Sequence, residues 1–326
     1  MTRVLFIAAA SGALAMYMPT CVPPAVLPAA ASGEARIAEL WKPPADVTAQ
    51  DLFFGPWGPE RAPDPEATYT FIEAKRGGVN PGMTVRDPAG RIWKVKQPPL
   101  DGRLAEGPIE VVLSRVLSAV GYHQPPVYYL RTFTVTDANG TRRTLGGRFR
   151  LNNPSLKAVG EWSWHQNPFV GTRPYQGLLV ILLMFNSSDF KNSNNTLYEF
   201  RPSADRTERW YVVRDLGTAL GGTGRIAPAR GDVDAFERGQ FIEGIENGFV
   251  EFEYHGWHQE LIRRRITPAD VRWACELLGG LTDTQWHEAF LAGGYDPAVS
   301  ARFIHRLQAK IREGVALGKV AGGPAS

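Results

Sequence analysis

Gly177-Leu-Leu-Val-Ile-Leu-Leu-Met-Phe185 is an unbroken apolar run, and it stops abruptly at Asn186-Ser-Ser-Asp189-Phe-Lys191-Asn-Ser-Asn194-Asn195. With its flanks the run is long enough for a buried helix, although its period also admits a strand. Two strand-like segments follow, Thr196 to Phe200 and Trp210 to Val213, separated by the polar residues 201–209. The second strand runs into Arg214-Asp215-Leu216-Gly217. Buried element, polar loop, hairpin and Asp-Leu-Gly form the succession from which the rest of the chain is read.

Upstream the pattern is β-rich. Tyr69 to Ala74, Met83 to Arg86 and Arg91 to Lys96 read as strands, joined by the glycine-bearing loop Lys75-Arg-Gly77-Gly78-Val-Asn-Pro-Gly82 and the tight turn Asp87-Pro-Ala-Gly90. Alternation puts Trp93 and Val95 on one face of the third strand and Lys94 and Lys96 on the other. Apolar residues at Ile109, Val112, Leu113, Val116, Leu117 and Val120 have helical spacing, so a helix is expected over Pro108–Val120, with proline in its first turn and Gly121 at its end. Val127 to Val135 and Thr144 to Leu151 form a hairpin across Asp137-Ala-Asn-Gly140. Residues 152–174 read as irregular and aromatic. After Gly217 the chain looks mainly helical, with helices expected over Pro268–Leu278, Asp283–Ala292 and Pro297–Leu317.

The expected architecture is an α+β fold of two lobes. A small β-rich N-lobe spans 69–151, a larger and mainly helical C-lobe spans 152–326, and 32–68 is an N-terminal extension. Residues 1–31 form a targeting segment: Arg3 precedes an uncharged apolar stretch from Val4 to Met18, short for a membrane span and suited to a signal peptide. Export to the periplasm or cell envelope is the leading expectation, with lipid attachment at Cys21, membrane association through an uncleaved N-terminus, and a cytoplasmic location as alternatives. Residues 23–32, rich in Pro and Ala, read as a tether.

Composition narrows the function. The 326 residues are 44% hydrophobic and 21% charged, which excludes disorder and a multi-span membrane protein. Lys and Arg exceed Asp and Glu by only three and are scattered, so nucleic acid is not an expected partner. Two cysteines, Cys21 and Cys275, allow neither a cysteine metal site nor an expected disulfide within the mature domain. The six histidines lack metal-binding spacing on a helix, and His255-Gly-Trp-His258, the closest pair, reads as surface or structural. No Gly-x-Ser-x-Gly elbow supports a hydrolase.

Phosphoryl transfer from ATP needs backbone NH groups over the phosphates, a lysine held by a helix glutamate, a carboxylate at the acceptor hydroxyl, and Asn plus Asp on Mg²⁺. One candidate exists for each part: Gly77, Gly78 and Gly82 for the phosphates; Lys96, with Lys94 as its competitor; Glu110, with Glu106 as the alternative; Asp189 with Lys191 at the acceptor; Asn194 and Asp215 on the metal. Asp189 precedes Asn194 by five positions, the spacing between the catalytic aspartate and metal-binding asparagine of kinase loops. Each motif also has a plain structural reading as a turn, a cap or a solvated lysine.

The order of these motifs resembles the protein-kinase-like superfamily, especially atypical HipA-type and phosphatidylinositol-kinase-like members. Trp93-Lys-Val-Lys96, Gly160-Glu-Trp-Ser-Trp164, Asn167-Pro-Phe-Val-Gly-Thr172 and Tyr211-Val-Val-Arg-Asp-Leu-Gly217 further resemble an uncharacterised bacterial family of this layout. The resemblance implies an ATP- and Mg²⁺-dependent phosphotransferase acting on an unidentified acceptor, protein or small molecule, and it favours Lys96 over Lys94 as the nucleotide lysine. The pattern departs from the family at Ser187-Ser188, where His-Arg is usual, in the absence of Ala-Pro-Glu after Asp-Leu-Gly, and in the glycine loop, which is not Gly-x-Gly-x-x-Gly. A catalytically inactive kinase-like module and an envelope structural protein are the competing readings. Trp162 and Trp164 are expected to pack rather than to form a substrate platform.

Overall fold

The structure, a computed structural model, describes residues 33–77, 80–99, 106–224 and 229–320. The targeting segment, Cys21 and Gly78 lie outside the described residues. Among the described residues no helix is long and apolar enough to cross a membrane.

The chain folds into the two lobes expected. After α1 (Gly33–Ile37), the small lobe is built from β1 (Thr68–Ala74), β2 (Gly82–Arg86) and β3 (Ile92–Lys96), then α2 (Glu106–Ala119), β4 (Val127–Asp137) and β5 (Gly140–Leu151). The five strands run in the order β1-β2-β3-β5-β4, and β1 pairs with β4 in parallel to close a barrel. Inward residues of the alternation fill it: Trp93 and Val95 from β3 pack with Tyr69, Val85, Phe133 and Phe149. Outward along β3, Lys96 lies opposite Arg148 of β5.

The larger lobe begins with β6 (Leu156–Gly160), a strand within the segment read as irregular. Its pattern is weak because only Leu156 is buried and the other four residues are exposed. The apolar run is helical, as α3 (Arg173–Met184), and residues 175–184 are all buried, which explains why periodicity alone could not separate helix from strand. β7 (Asn195–Ser203) and β8 (Arg206–Val213) form the expected hairpin, with β6 on its outer edge. The part read as mainly helical also contains a hairpin, β9 (Ile242–Glu246) and β10 (Phe249–Phe252), after α4 (Val233–Arg238). A glycine at the inward position 244 and an exposed isoleucine, Ile245, mask the alternation of β9. Helices α5 (Pro268–Gly279), α6 (Asp283–Ala292) and α7 (Pro297–Val320) complete the lobe. Capping boxes at Thr267 with Asp270 and at Thr282 with Gln285 set the starts of α5 and α6.

Two further findings concern α2. α2 begins at Glu106, two residues before Pro108, so Glu106 belongs to its first turn. The apolar face of α2 also joins the core of the larger lobe: Ile109, Val112, Leu113, Val116 and Leu117 pack in one cluster with α3 and with Trp286 and Phe290 of α6. The helix is thereby wedged between the lobes, and Trp162 and Trp164, buried in the same cluster, are packing residues. Residues of the N-terminal segment tie the lobes further, with Leu40 and Leu52 in the large core and Phe54 and Trp57 against the barrel.

Candidate functional site

Between the lobes lies a cleft of about 330 Å³, lined by side chains from both. Its upper wall carries Lys75, Lys96, Arg148 and Arg150; its floor and lower wall carry Glu106, Asp189, Asn194, Arg214, Asp215 and Thr218.

Lys96 emerges from the last residue of β3, its side chain only 11% exposed, while Lys94 is exposed. Its ammonium is paired with Glu110, with Glu106 at 2.5 Å and with Asp215 at 3.6 Å. Glu106 and Glu110 sit one helical turn apart on α2 and so present carboxylates side by side. Glu110 is held on its other oxygen by Arg148 Nε at 2.8 Å. Burial alone would raise the Glu110 pKa, but Arg148 and Lys96 outweigh it and hold the carboxyl at about 2. Burial likewise works against the charge on Lys96, and Glu110, Glu106 and Asp215 reverse that, so its pKa is raised. Glu106 is further engaged by Arg230 and by Asn80 Nδ2 at 2.6 Å.

Asp215 follows β8 in the left-handed region, φ 52° and ψ 44°, a conformation that aspartate tolerates better than most residues. The following Leu216 is buried in the large core. A Cβ on Gly217 would strike Glu106, so this glycine permits the close approach of α2 to the Asp-Leu-Gly turn. The loop after α3 is tied to the same turn: Arg214 N–H donates to Asn194 O at 2.8 Å, and Asn194 Nδ2 donates to Asp189 O at 3.0 Å. Lys191 Nζ lies 3.1 Å from Asp189 Oδ1 without hydrogen-bond geometry.

Among the described residues, three buried polar atoms without a hydrogen-bond partner belong to this cleft: Asp189 Oδ1, Arg214 Nε and Thr218 Oγ1. Such atoms are costly unless something completes them. Five cations against three carboxylates line the space, an excess suited to a polyanion. Burial first, and then the like charges of Arg214 and Arg148, push the Arg150 pKa down to about 10. Lys75 is lowered by burial and by Lys96.

Of the residues singled out in the sequence, Lys96, Asp189, Asn194 and Asp215 line this one cleft, with Glu110 behind Lys96. Lys191 flanks Asp189 and is half exposed at its side chain, 49%. Gly77 is exposed at φ 79° with open space around it, and Gly82 begins β2, where a Cβ would collide with Val95 O. The sequence does not single out Lys75, Asn80, Arg148, Arg150, Arg214 or Arg230, and it offers Glu106 only as the alternative to Glu110, whereas both carboxylates engage Lys96. A signal existed for Arg148 and Arg150, which recur at a spacing of two on a strand whose outward face also bears Lys96's neighbours.

No family model matches the chain, and no curated protein matches it. Two kinases are among the solved structures similar to it. One is the proinflammatory kinase CtkA of Helicobacter pylori, at 11% identity and a TM-score of 0.44, covering 80% of this chain and all of that one. The other is the Rio2 kinase of Chaetomium thermophilum in its ADP/Mg²⁺-phosphoaspartate complex, at 13% identity and a TM-score of 0.27, covering 75% of this chain and 71% of that one.

Proposed function

We propose that the chain is an ATP-dependent phosphotransferase of the atypical kinase-like type, using Mg²⁺ and a hydroxyl acceptor. The observation that carries this reading is the convergence of Lys96, Asp189, Asn194 and Asp215 on one cation-rich cleft containing unpartnered buried polar atoms. Leaving a buried polar atom without a partner costs stability, and a bound polyanion with its metal would complete those in the cleft.

The donor set fits the cofactor. Mg²⁺ favours oxygen ligands, typically one or two carboxylates with phosphates and water, and Asp215 with the amide oxygen of Asn194 offers that set. When bound, the ion neutralises charge on the phosphates. Lys96, oriented by Glu106 and Glu110, supplies a fixed positive charge to the phosphates, and Arg148, Arg150 and Lys75 extend it. Asp189, oriented by Lys191 and by the bond from Asn194 to its carbonyl, accepts the proton of the acceptor hydroxyl. The acceptor oxygen bonds to the terminal phosphorus, the bond from that phosphorus to the bridging oxygen breaks, and ADP leaves with the electron pair. The serines at 187 and 188 and the missing Ala-Pro-Glu align the reading with HipA-type and phosphatidylinositol-kinase-like enzymes rather than with activation-loop kinases. Its compartment would be the cell envelope, on the strength of the apolar segment Val4–Met18.

Calorimetric titration of Mg-ATP into the full chain, beside an ATP-turnover assay, tests this. Asp215→Ala is expected to abolish metal-dependent nucleotide binding, and Asp189→Ala to keep binding while lowering turnover by roughly 10²-fold or more. Binding without turnover in the wild type would favour the inactive module; no binding at all would refute the reading.

A further inference from the structure

Away from the cleft, two turns far apart in sequence bring His165, His258 and Glu260 together. His165 Nε2 lies 3.0 Å and His258 Nδ1 2.8 Å from the same oxygen, Glu260 Oε1. One ligand atom from each residue falls within 4.8 Å of the others, and the imidazoles meet edge to face at 5.3 Å. In the sequence His258 stood beside His255; in the fold its partner is His165.

We infer that His165, His258 and Glu260 form a site for a divalent cation of the zinc class, clipping the two turns together. Two imidazoles and one carboxylate are a donor set that zinc takes with a fourth position left to water, and imidazole disfavours Mg²⁺ and Ca²⁺. Tetrahedral ligands at zinc bond lengths stand about 3.3 Å apart; both imidazole nitrogens lie within about half an ångström of that from the shared oxygen, and the two nitrogens, no more than 4.8 Å from each other, close on the ion by side-chain rotation. Both turns are set by the backbone: Ser163 Oγ accepts from His165 N at 3.2 Å and Gln166 N at 3.3 Å, and His258 itself holds the left-handed conformation at φ 59°. The ligands are solvent-reachable, with side-chain exposures of 39%, 34% and 58%, so an ion can enter.

The position gives the clip a consequence. Trp164 N, next to His165, donates to Asn192 Oδ1 at 3.0 Å, and Trp257 N, next to His258, donates to Ser188 O at 3.1 Å. The two ligand-bearing turns thus bracket the loop that carries Asp189. The cation site stands on its own residues and does not depend on the nucleotide reading.

Zn²⁺ titrated by calorimetry into the full chain, with Co²⁺ absorption as the report of coordination, tests the inference. One equivalent of Zn²⁺ is expected, with tetrahedral Co²⁺ bands and no competition from millimolar Mg²⁺. His165→Ala and His258→Ala should each weaken binding by roughly tenfold or more, since even outer partners of a metal site are worth that much, while His255→Ala should change nothing. The exposed positions allow the double variant His165→Ala/His258→Ala to fold, verified by its unfolding midpoint, and it should lose the site. No saturable Zn²⁺ binding in the wild type, or equal binding in the folded double variant, would overturn the inference.

Discussion

Glu110 and Asp215 both place a carboxylate beside Lys96, yet Glu110 is 9% exposed at its side chain and held between Lys96 and Arg148, whereas Asp215 is 42% exposed with Lys96 at 3.6 Å. The contrast extends to their surroundings. The Glu110 end of the cleft rests on a helix wedged into the core of the larger lobe, with its charges matched from within the protein. The Asp215 end rests on a turn and a loop, and leaves Thr218 Oγ1 without a hydrogen-bond partner and Asp189 Oδ1 with only the ion pair to the half-exposed Lys191. One end is built to hold a lysine in place, and the other is left incomplete for something that arrives.

The largest effect should come from the closed end. Glu110→Ala leaves Arg148 without its buried counter-charge and Lys96 with only Glu106 and Asp215, and should cost about 3–5 kcal/mol of stability. Urea unfolding would register this as a lower midpoint at unchanged slope; a loss below about 1 kcal/mol would break the comparison.

The same carboxylate predicts an acid dependence. Its pKa is about 2 in the folded chain against an ordinary value of 4.5, so folding favours the ionised form. The stabilisation is complete above pH 4.5 and fades as pH falls towards 2, by an amount on the order of 3 kcal/mol. The stability difference between wild type and Glu110→Gln should therefore shrink over that window. A difference independent of pH would show that Glu110 is not the group responsible.

The smallest effect sharpens the contrast. Asp215→Asn keeps a residue that accepts the left-handed conformation and removes a charge that is partly exposed and 3.6 Å from Lys96, so unfolding stability should move by no more than about 0.5 kcal/mol. A loss comparable to that of Glu110→Ala would make Asp215 another internal strut.

Elements whose signals are local are legible in the chain alone. Alternation in Ile92–Lys96 turned Trp93 and Val95 inward and left the lysines out; helical spacing from Ile109 to Val120 marked α2; and the lengths of the loop and hairpin between Asp189 and Asp215 marked the turns that meet at the cleft. Each depends on neighbours within one strand or one helical turn, and the chain carries that information directly. Long-range packing, by contrast, settles which lysine is enclosed, that both Glu106 and Glu110 serve it, that Arg148 and Arg230 close the network, and that His165 meets His258. Glu106 and Arg230 are 124 residues apart, and no period or turn signature records their approach. It follows from the packing of α2 against the larger lobe, where many weak apolar contacts, none distinctive in the sequence, fix the positions of the few charges that matter.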